Sequence, residues 1–462
     1  MKKHCRIAGS VLPHVGKQSW ITIIGIAICL TLVQAANAQI IVGGPPMDKE
    51  LTAKTQAAIV DSVSTALIDN YIFLDKAQAM EKLIRGNLKK GLYKDIKNYQ
   101  EFTQRLTQDL RSVSHDLHLG IGFVPDEMIS EMQQKGDSTI ENPFMEEMKQ
   151  SNMGFKRVEV LDGNIGYVDL RGFAPAEIGG STAIAAMNFL GNCDAVIFDL
   201  RQNGGGDPSM IQLISSYLFD QPVHLNSFYI RSLDTMQQFW TQAYVPGKKL
   251  DQADVFVLTS PMTFSGAEEF SYNLKNLKRG TIIGKTTGGG AHPVESHLFA
   301  SLNVEARVPY GRAINPITGT NWEGVGVSPD VDVDPEQALD VAQMMALEAI
   351  SAKATDMRKK ERLQWAAEEL SARVKPVQLD ESKLREYEGT YGPRKVWVEN
   401  GELMYKRGEN PQNKLIPLGN DKFMLNGVGY FRAQFVRGEG GNVTTFVGIY
   451  DNGTSDQNPK SN

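Results

Sequence analysis

The sequence predicts an α/β fold in three parts: an N-terminal helical bundle, a central α/β domain with a largely parallel sheet, and a small C-terminal β-rich domain. Three observations indicate this order. Apolar residues recur at helical spacing three times within residues 51–115. Strand-like and helix-like segments then alternate between residues 155 and 345, which is typical of a parallel sheet with crossover helices. From residue 379 onward, short strands are separated by Gly, Asn and Asp turns.

Length and composition limit the kind of protein this can be. A chain of 462 residues is expected to form about three domains. With 41% hydrophobic residues, 22% charged residues and 43 glycines, the composition describes a globular protein rich in turns. A net charge of -6 gives no basic footprint, so we expect no binding to nucleic acid.

The first 38 residues have the pattern of a secretory signal peptide. Basic residues precede an apolar core at residues 21–33, and small residues lead to a predicted cleavage site between Ala38 and Gln39. The apolar core is too short to span a bilayer comfortably, so we expect an exported protein, periplasmic or extracellular, with an uncleaved anchor as the alternative. Cleavage leaves Cys193 as the single cysteine. We therefore expect no disulfide, no Cys/His metal site and no cofactor.

Changes in composition and in the helix and strand patterns along the chain give the predicted domain boundaries. They are 1–38 for the signal peptide, 39–125 for the N-terminal helical domain, 126–154 for a connection, 155–345 for the central α/β domain, 346–378 for a helical linker, 379–455 for the C-terminal β domain and 456–462 for a tail.

A glycine loop follows one of the predicted buried strands. Residues 195–200 form an apolar run, and three glycines follow at 204–206. A nucleotide-binding loop is rejected, because G-x-G-x-x-G is absent and Arg279 stands where a phosphate-binding motif ending in Lys285 needs its first glycine. A glycine loop between a strand and a helix can instead offer free N–H groups to an oxyanion.

Ser265 lies at a predicted strand-turn-helix corner. An apolar run at residues 255–259 precedes the turn, and helical spacing begins after Gly266. A serine at such a corner presents its hydroxyl at the carboxyl end of a strand, beside the free N–H groups of the helix start. The alternative is that Ser265 is only an N-cap, with Glu268 completing a capping box.

His118 stands at a predicted junction between a helix and a short strand. The helical pattern ends near Ser114, and the alternation of residues 119–123 is typical of a strand. Taken alone, a histidine at such a junction is more often a surface or structural residue than a catalytic one.

Four stretches, in this order, resemble the tail-specific, or carboxyl-terminal-processing, serine peptidases. They are DLRQNGGG at 199–206, TFSGAE at 263–268, GKTTGG at 284–289 and EGVGVSPD at 323–330. The resemblance covers about residues 50–350 and makes 155–345 the expected peptidase catalytic domain.

The resemblance also favours one of two catalytic styles in that family. Matching the motif that carries the lysine of a Ser-Lys dyad puts Gly290 at the lysine position and Lys285 at the wrong one. The tricorn-core and interphotoreceptor-retinoid-binding-protein-like branch uses a histidine from before the sheet, and DLHLG at 116–120 resembles its D-x-H-L stretch. Leu117 replaces the serine that orients the histidine in tricorn, with Ser114 as a possible substitute.

The resemblance thus implies an exported serine endopeptidase with peptide or protein substrates and no membrane span after signal cleavage. It makes Ser265 the nucleophile, His118 the base and Glu323 the residue that orients the histidine. The N–H groups of Gly266 and Gly205 are expected to form the oxyanion hole. His292 is the rival base. The alternative function is a catalytically idle periplasmic ligand-binding or scaffold protein on the same fold.

Overall fold

The computed structural model describes residues 51–134 and 143–461. It confirms the predicted mixed α/β class, with N-terminal helices, a central sheet of mainly parallel strands and a C-terminal antiparallel β unit. The predicted signal peptide and its cleavage site lie outside the described residues, as does part of the predicted connection at 126–154.

The helices and strands follow one another along the chain in three groups. The first group is α1 (Ala53–Asn70), α2 (Leu74–Lys89), α3 (Tyr99–Ser114), β1 (Gly120–Phe123), α4 (Asp126–Gln134) and α5 (Pro143–Gln150). The second is β2 (Phe155–Leu161), β3 (Ile165–Leu170), α6 (Ala176–Phe189), β4 (Ala195–Asp199), α7 (Pro208–Ser216), β5 (His224–Ile230), β6 (Thr235–Trp240), β7 (Asp254–Thr259), α8 (Gly266–Asn276), β8 (Thr281–Gly284), β9 (Val294–Phe299), β10 (Val304–Pro309), β11 (Gly311–Ile314) and β12 (Val331–Asp332). The third is α9 (Ala338–Lys353), α10 (Met357–Val374), α11 (Glu381–Arg385), β13 (Gly389–Tyr391), β14 (Arg394–Glu399), β15 (Glu402–Arg407), β16 (Asn413–Gly419), β17 (Lys422–Leu425), β18 (Val428–Arg437), β19 (Val443–Tyr450) and β20 (Ser455–Pro459).

The N-terminal helices are not a separate bundle. β1 pairs antiparallel with β10, and β10 pairs with β9. Val304, Ala306 and Val308 of β10 are fully buried in the same apolar core as the helices α1 to α3. The N-terminal part therefore shares its core with strands from late in the central domain, which fixes α3 and the turn after it against that domain.

The central sheet has the strand order β12-β8-β7-β4-β3-β2. All neighbouring pairs are parallel except β2 with β3. Since neighbouring parallel strands end at the same edge, the loops after β4 and β7 meet there. The loop after β4 carries the three glycines at 204–206, and the loop after β7 carries Ser265.

The predicted helical linker differs from the structure. Instead of one long spacer, there are two helices: α9 packs against the central sheet, and α10 packs on α9 and contributes to the same core. Ala338, Ala342 and Ala346 recur every four residues and are fully buried, so they form a small-residue face that lies close to the strands. Leu363 and Leu370 of α10 join the same core.

The C-terminal strands β13 to β20 form one antiparallel sheet in sequence order. Its two edges meet, because Tyr391 bridges to Lys460 and the Ser461 N–H donates to the Thr390 carbonyl at 2.8 Å. The sheet is therefore closed like a barrel, and aromatic side chains fill its interior. Residues 456–462, expected as a tail, include most of β20, which supplies the closing strand.

No helix within 51–134 and 143–461 is both long and apolar enough to cross a membrane.

Candidate active site

Ser265 occupies a strained corner between β7 and α8. Its backbone has φ 54° and ψ -119°, a conformation that costs a non-glycine residue on the order of 1–3 kcal/mol and that is concentrated at functional sites. The Ser265 N–H donates to Oε2 of Glu268 at 2.8 Å. The glutamate bond of the predicted capping box is thus formed, and the capping role of this turn does not exclude a catalytic one.

The glycine loop lies directly against this corner. A Cβ on Gly205 would stand 2.8 Å from the Ser265 Cβ and 2.7 Å from the Gly266 nitrogen, and Gly205 has φ +107°. Glycine is therefore required here for a close approach. The Gly205 N–H donates to Oδ1 of Asn203 at 2.8 Å. This N–H, predicted as an oxyanion donor, is engaged within its own loop.

The end of α3 positions His118. His115 caps the helix with φ 58°, in the left-handed region, and the chain then turns sharply. Oδ1 of Asp116 accepts a hydrogen bond from the His118 N–H at 3.0 Å. The Arg111 guanidinium donates to the carbonyls of Leu117 and Leu119, at 2.7 Å each. The histidine is thus held in a turn with several backbone hydrogen bonds.

The structure brings His118 to the Ser265 corner. The His118 imidazole packs on the ring of Phe264, with centroids 4.8 Å apart and planes inclined by 32°. A Cβ on Gly290 would stand 2.6 Å from Cε1 of His118 and 2.3 Å from Cζ of Phe264. The position that matches the dyad lysine is therefore a glycine beside the imidazole, whereas Lys285 pairs with Asp332 at 2.6 Å.

A buried polar cluster surrounds Asp116, whose side chain is 1% exposed. Its Oδ2 lies 2.7 Å from Nδ1 of His292 and accepts a hydrogen bond from the Tyr71 hydroxyl at 3.3 Å. Oε2 of Glu323 lies 3.6 Å from the same His292 nitrogen. Glu323 also accepts a hydrogen bond from the Ala291 N–H at 2.6 Å. The rival base His292 is thus part of the site and bonded to a carboxylate.

Burial and neighbouring charges shift the protonation of this cluster. Burial lowers the pKa of His118 to about 4, and the nearby Asp116 charge offsets this only in part. Burial opposes ionisation of Asp116, but the hydrogen bond and charge of His292 outweigh it and hold the pKa of Asp116 below its usual value. Burial, followed by the Asp116 charge, raises the pKa of Glu323. His118 is therefore neutral at pH 7, as a general base must be.

Asp116, His118 and Glu323 each offer a ligand atom within 4.8 Å of one another, a spacing that could hold a metal ion. Both oxygens of Asp116 already accept hydrogen bonds from the protein. Among the described residues, Nδ1 of His118 and Oε1 of Glu323 are buried and have no partner. The unpaired His118 nitrogen can donate a hydrogen bond and the unpaired Glu323 oxygen can accept one, so the cluster fits a hydrogen-bonded proton-transfer site better than a metal centre.

The sequence did not reveal every residue that shapes the site. Ser114, the candidate orienting serine, accepts a hydrogen bond from the Asp116 N–H at 3.2 Å and so supports the backbone of the turn that carries this aspartate. Phe264 and Gly290 were not predicted to contact His118. Glu268 was considered only as a cap, and the S-x-x-E spacing from Ser265 was the available signal.

Two family models match this chain. One, described as peptidase family S41, matches residues 164–333, and the other, described as the N-terminal domain of that peptidase in eukaryotic IRBP, matches residues 51–161. The protein belongs to peptidase family S41. The S41 match contains Ser265 and Glu323, and the N-terminal match contains His118. As an S41 peptidase, the chain is a hydrolase of peptide or protein substrates.

Three solved structures are similar to this S41 peptidase at low sequence identity. The photosystem II D1 C-terminal processing protease is 15% identical, with a TM-score of 0.41, and the match covers 62% of this chain and 94% of that one. Mature CPAF is 11% identical, with a TM-score of 0.46 and coverage of 66% and 99%. The tricorn protease is 14% identical, with a TM-score of 0.44 and coverage of 65% of this chain but only 37% of the tricorn chain.

Proposed function

We propose that this S41 peptidase is an exported serine endopeptidase that forms an acyl-enzyme on Ser265. His118 acts first as general base and then as general acid, and Glu323 orients its imidazole. The observation that carries the proposal is the contact of His118 with Phe264, which brings an imidazole to the residue next to a strained serine. Export is inferred from the signal-like residues 1–38.

Peptide hydrolysis needs two proton transfers, and a histidine beside the serine can perform both. The Ser265 hydroxyl gives its proton to His118 while its oxygen bonds to the scissile carbonyl carbon. His118 then gives this proton to the leaving amine as the C–N bond breaks. Water repeats the sequence on the acyl-enzyme, which releases the acid product and restores the serine.

Orientation of the imidazole is the role assigned to Glu323. Nδ1 of His118 and Oε1 of Glu323 are both buried without a partner among the described residues, and a hydrogen bond between them would satisfy both atoms. Such a bond fixes the tautomer with the proton on Nδ1 and leaves Nε2 free to take the serine proton. The raised pKa of Glu323 is compatible with this arrangement. When His118 takes the serine proton, its positive charge favours the ionised form of the Glu323 carboxylate.

Stabilisation of the oxyanion is assigned to the Gly266 N–H. Gly266 is the first residue of α8, so its N–H has no carbonyl one turn earlier within the helix. The Gly205 N–H is left out of this role because it donates to Asn203. Gly205 instead keeps the loop close enough to the corner to enclose the reacting carbonyl.

Active-site labelling tests the proposal. The mature chain should react with a fluorophosphonate probe and cleave members of a diverse peptide library, and Ser265→Ala should abolish both. Absence of labelling and cleavage under conditions in which a control serine hydrolase reacts would overturn it. That outcome would support the non-catalytic alternative of a ligand-binding or scaffold protein.

A further inference from the structure

Glu268 makes a set of hydrogen bonds that the mechanism above does not use. It lies in the first turn of α8 and is fully buried. Its Oε2 accepts from the N–H groups of Ser265 and Gly290, at 2.8 Å each. Its Oε1 accepts from the Gly289 N–H at 2.7 Å and from the Thr287 hydroxyl. One carboxylate thus connects the serine corner to the loop formed by residues 287–290.

The chemistry of the donors selects the ionised carboxylate. Three of the four partners are backbone N–H groups, which can only donate. If the carboxyl were protonated, one of its oxygens would become a donor and could no longer accept from these groups. In a glutamine the amide N–H groups would likewise face backbone N–H donors. Burial raises the pKa of Glu268 to about 7, while the hydrogen bonds from Thr287, Gly290 and Gly289 favour the ionised form. The hydrogen bonds to a charged acceptor are of the strong kind.

The 287–290 loop packs directly on the proposed base. Gly290 leaves no room for a side chain between its backbone and the rings of His118 and Phe264, as the Cβ distances of 2.6 and 2.3 Å show. A shift of the loop therefore moves the surface on which the imidazole rests. Since Glu268 holds the Gly290 N–H, it sets the position of that surface relative to Ser265.

The same loop is also tied to the segment that carries Glu323. The Trp322 indole N–H donates to the Gly290 carbonyl at 2.7 Å, and the Gly324 N–H donates to the Gly289 carbonyl at 2.9 Å. These bonds flank Glu323 on both sides in the sequence. The loop thus links three elements: the serine corner, the imidazole and the orienting glutamate.

We propose that Glu268 is a positioning residue whose carboxylate sets the distance between the Ser265 corner and the 287–290 loop, and thereby the alignment of Ser265 with His118. It acts through these groups and does not touch the substrate. The inference rests on the proposed function, because it assigns Glu268 a part in that catalytic geometry.

The adjacent Glu269 provides a matched control. It is 3% exposed on the same helix, and burial raises its pKa to about 7 as well. Its side chain interacts with Asn226 and Asn273, and not with the serine corner. Glu269→Gln therefore neutralises an equally buried carboxyl without changing the bonds to residues 287–290.

The experiment compares kcat, KM, fluorophosphonate labelling and thermal unfolding for wild type, Glu268→Gln and Glu269→Gln. We expect Glu268→Gln to lower kcat by about 10²-fold, the effect of a misalignment near 1 Å, with little change in KM. Glu269→Gln should keep kcat near the wild-type value. A wild-type kcat in Glu268→Gln, or an equal loss in both variants, overturns the inference.

A second pair of variants covers the case in which Glu268→Gln does not fold. Thr287→Val removes the bond to Glu268 and the bond that the Thr287 hydroxyl accepts from the Val327 N–H, and Thr287→Ser keeps both. We expect a reduced kcat in Thr287→Val that Thr287→Ser restores, and equal kcat in the two overturns the inference. If the wild-type protein is no more active than Ser265→Ala, both the proposed function and this inference are refuted. If the wild type is active and the Glu268 and Thr287 variants have the same kcat as the wild type, only the inference is refuted.

Discussion

The imidazole of His118 lies against the ring of Phe264, with centroids 4.8 Å apart. Phe264 precedes Ser265 at the end of the β7 turn, whereas His118 follows α3 in the N-terminal part of the chain. The contact depends on two long-range features, the shared core of the N-terminal helices with β10 and the bare backbone of Gly290. The catalytic proposal requires this junction between two parts of the chain to stay closed.

Gly290→Ala tests how closely the two rings are fitted. The new methyl group would stand 2.3 Å from Phe264 and 2.6 Å from His118, distances that force one ring to move. We expect kcat to fall by about 10²-fold or more, because a base displaced by about 1 Å no longer meets the serine proton. Peptidase assays with thermal unfolding will separate this loss from misfolding. Gly86→Ala in α2, where the added Cβ would meet nothing within 4 Å, is a control for the introduction of a methyl group. Unchanged turnover in Gly290→Ala would show that catalysis does not depend on the close fit of the two rings at Gly290.

The two histidines of the site should respond differently to removal. His118→Ala is expected to lower kcat by about 10²-fold or more, through loss of general base catalysis. His292→Ala should keep most of the turnover but lower the free energy of unfolding by about 1–3 kcal/mol, since it leaves buried Asp116 without its 2.7 Å partner. Steady-state kinetics and urea unfolding measure both effects. Loss of turnover in His292→Ala alone would assign the base to His292.

The sequence predicted the local features of the site well. The strand and helix patterns around Ser265, and the D-x-H-L stretch around His118, are encoded within a few residues. The role of Glu268 depends on Gly289 and Gly290, which reach it only when β8 lies beside β7, so only the S-x-x-E spacing was visible beforehand. Every residue except proline has a backbone N–H group, so the sequence does not show which of these groups will bond to a distant side chain.

Two elements of the structure have only a weak signature in the sequence. Three of the five buried residues of α9 are alanines, a weak apolar signal next to the charged residues of α10, so the segment resembled a spacer. Residues 455–461 are mostly polar, yet they close the barrel by backbone pairing: β20 pairs with β19, and Lys460 and Ser461 pair with the strand at Thr390. Polar edge strands that pair by their backbone look like loops in the sequence.

The depressed pKa of His118 should appear in the pH dependence of stability. The folded chain holds this imidazole at a pKa of about 4, below the ordinary value of 6.5. The unfolded chain therefore binds more protons between these two values, and the stability present above pH 6.5 is lost as the pH falls towards 4. His118→Gln should lose less stability than wild type between pH 7 and pH 5, by at most roughly 2 kcal/mol. The raised pKa of Glu268 acts in the opposite direction but is common to both proteins. Parallel urea titrations at the two pH values that give identical losses would contradict the burial of His118.

The barrel contains an ion pair whose loss should be measurable. The Arg394 guanidinium is 1% exposed and lies 2.7 Å from Asp456 of β20, the closing strand. Asp456→Asn leaves the Arg394 cation without its carboxylate but with its bonds to the Tyr405 and Tyr450 hydroxyls. Because the Asp456 side chain is also 36% exposed, we expect unfolding of the barrel to require about 1–2 kcal/mol less, between the losses for an exposed and a fully buried pair. Glu402→Gln removes an exposed pair with Lys414 in the same barrel and should change stability by less than about 1 kcal/mol. If both variants lose the same small amount of stability in urea unfolding, the closing strand does not depend on Arg394. Recovery in the double variant Asp456→Asn with Arg394→Met would show that the uncompensated charge, and not the missing carboxylate, caused the loss.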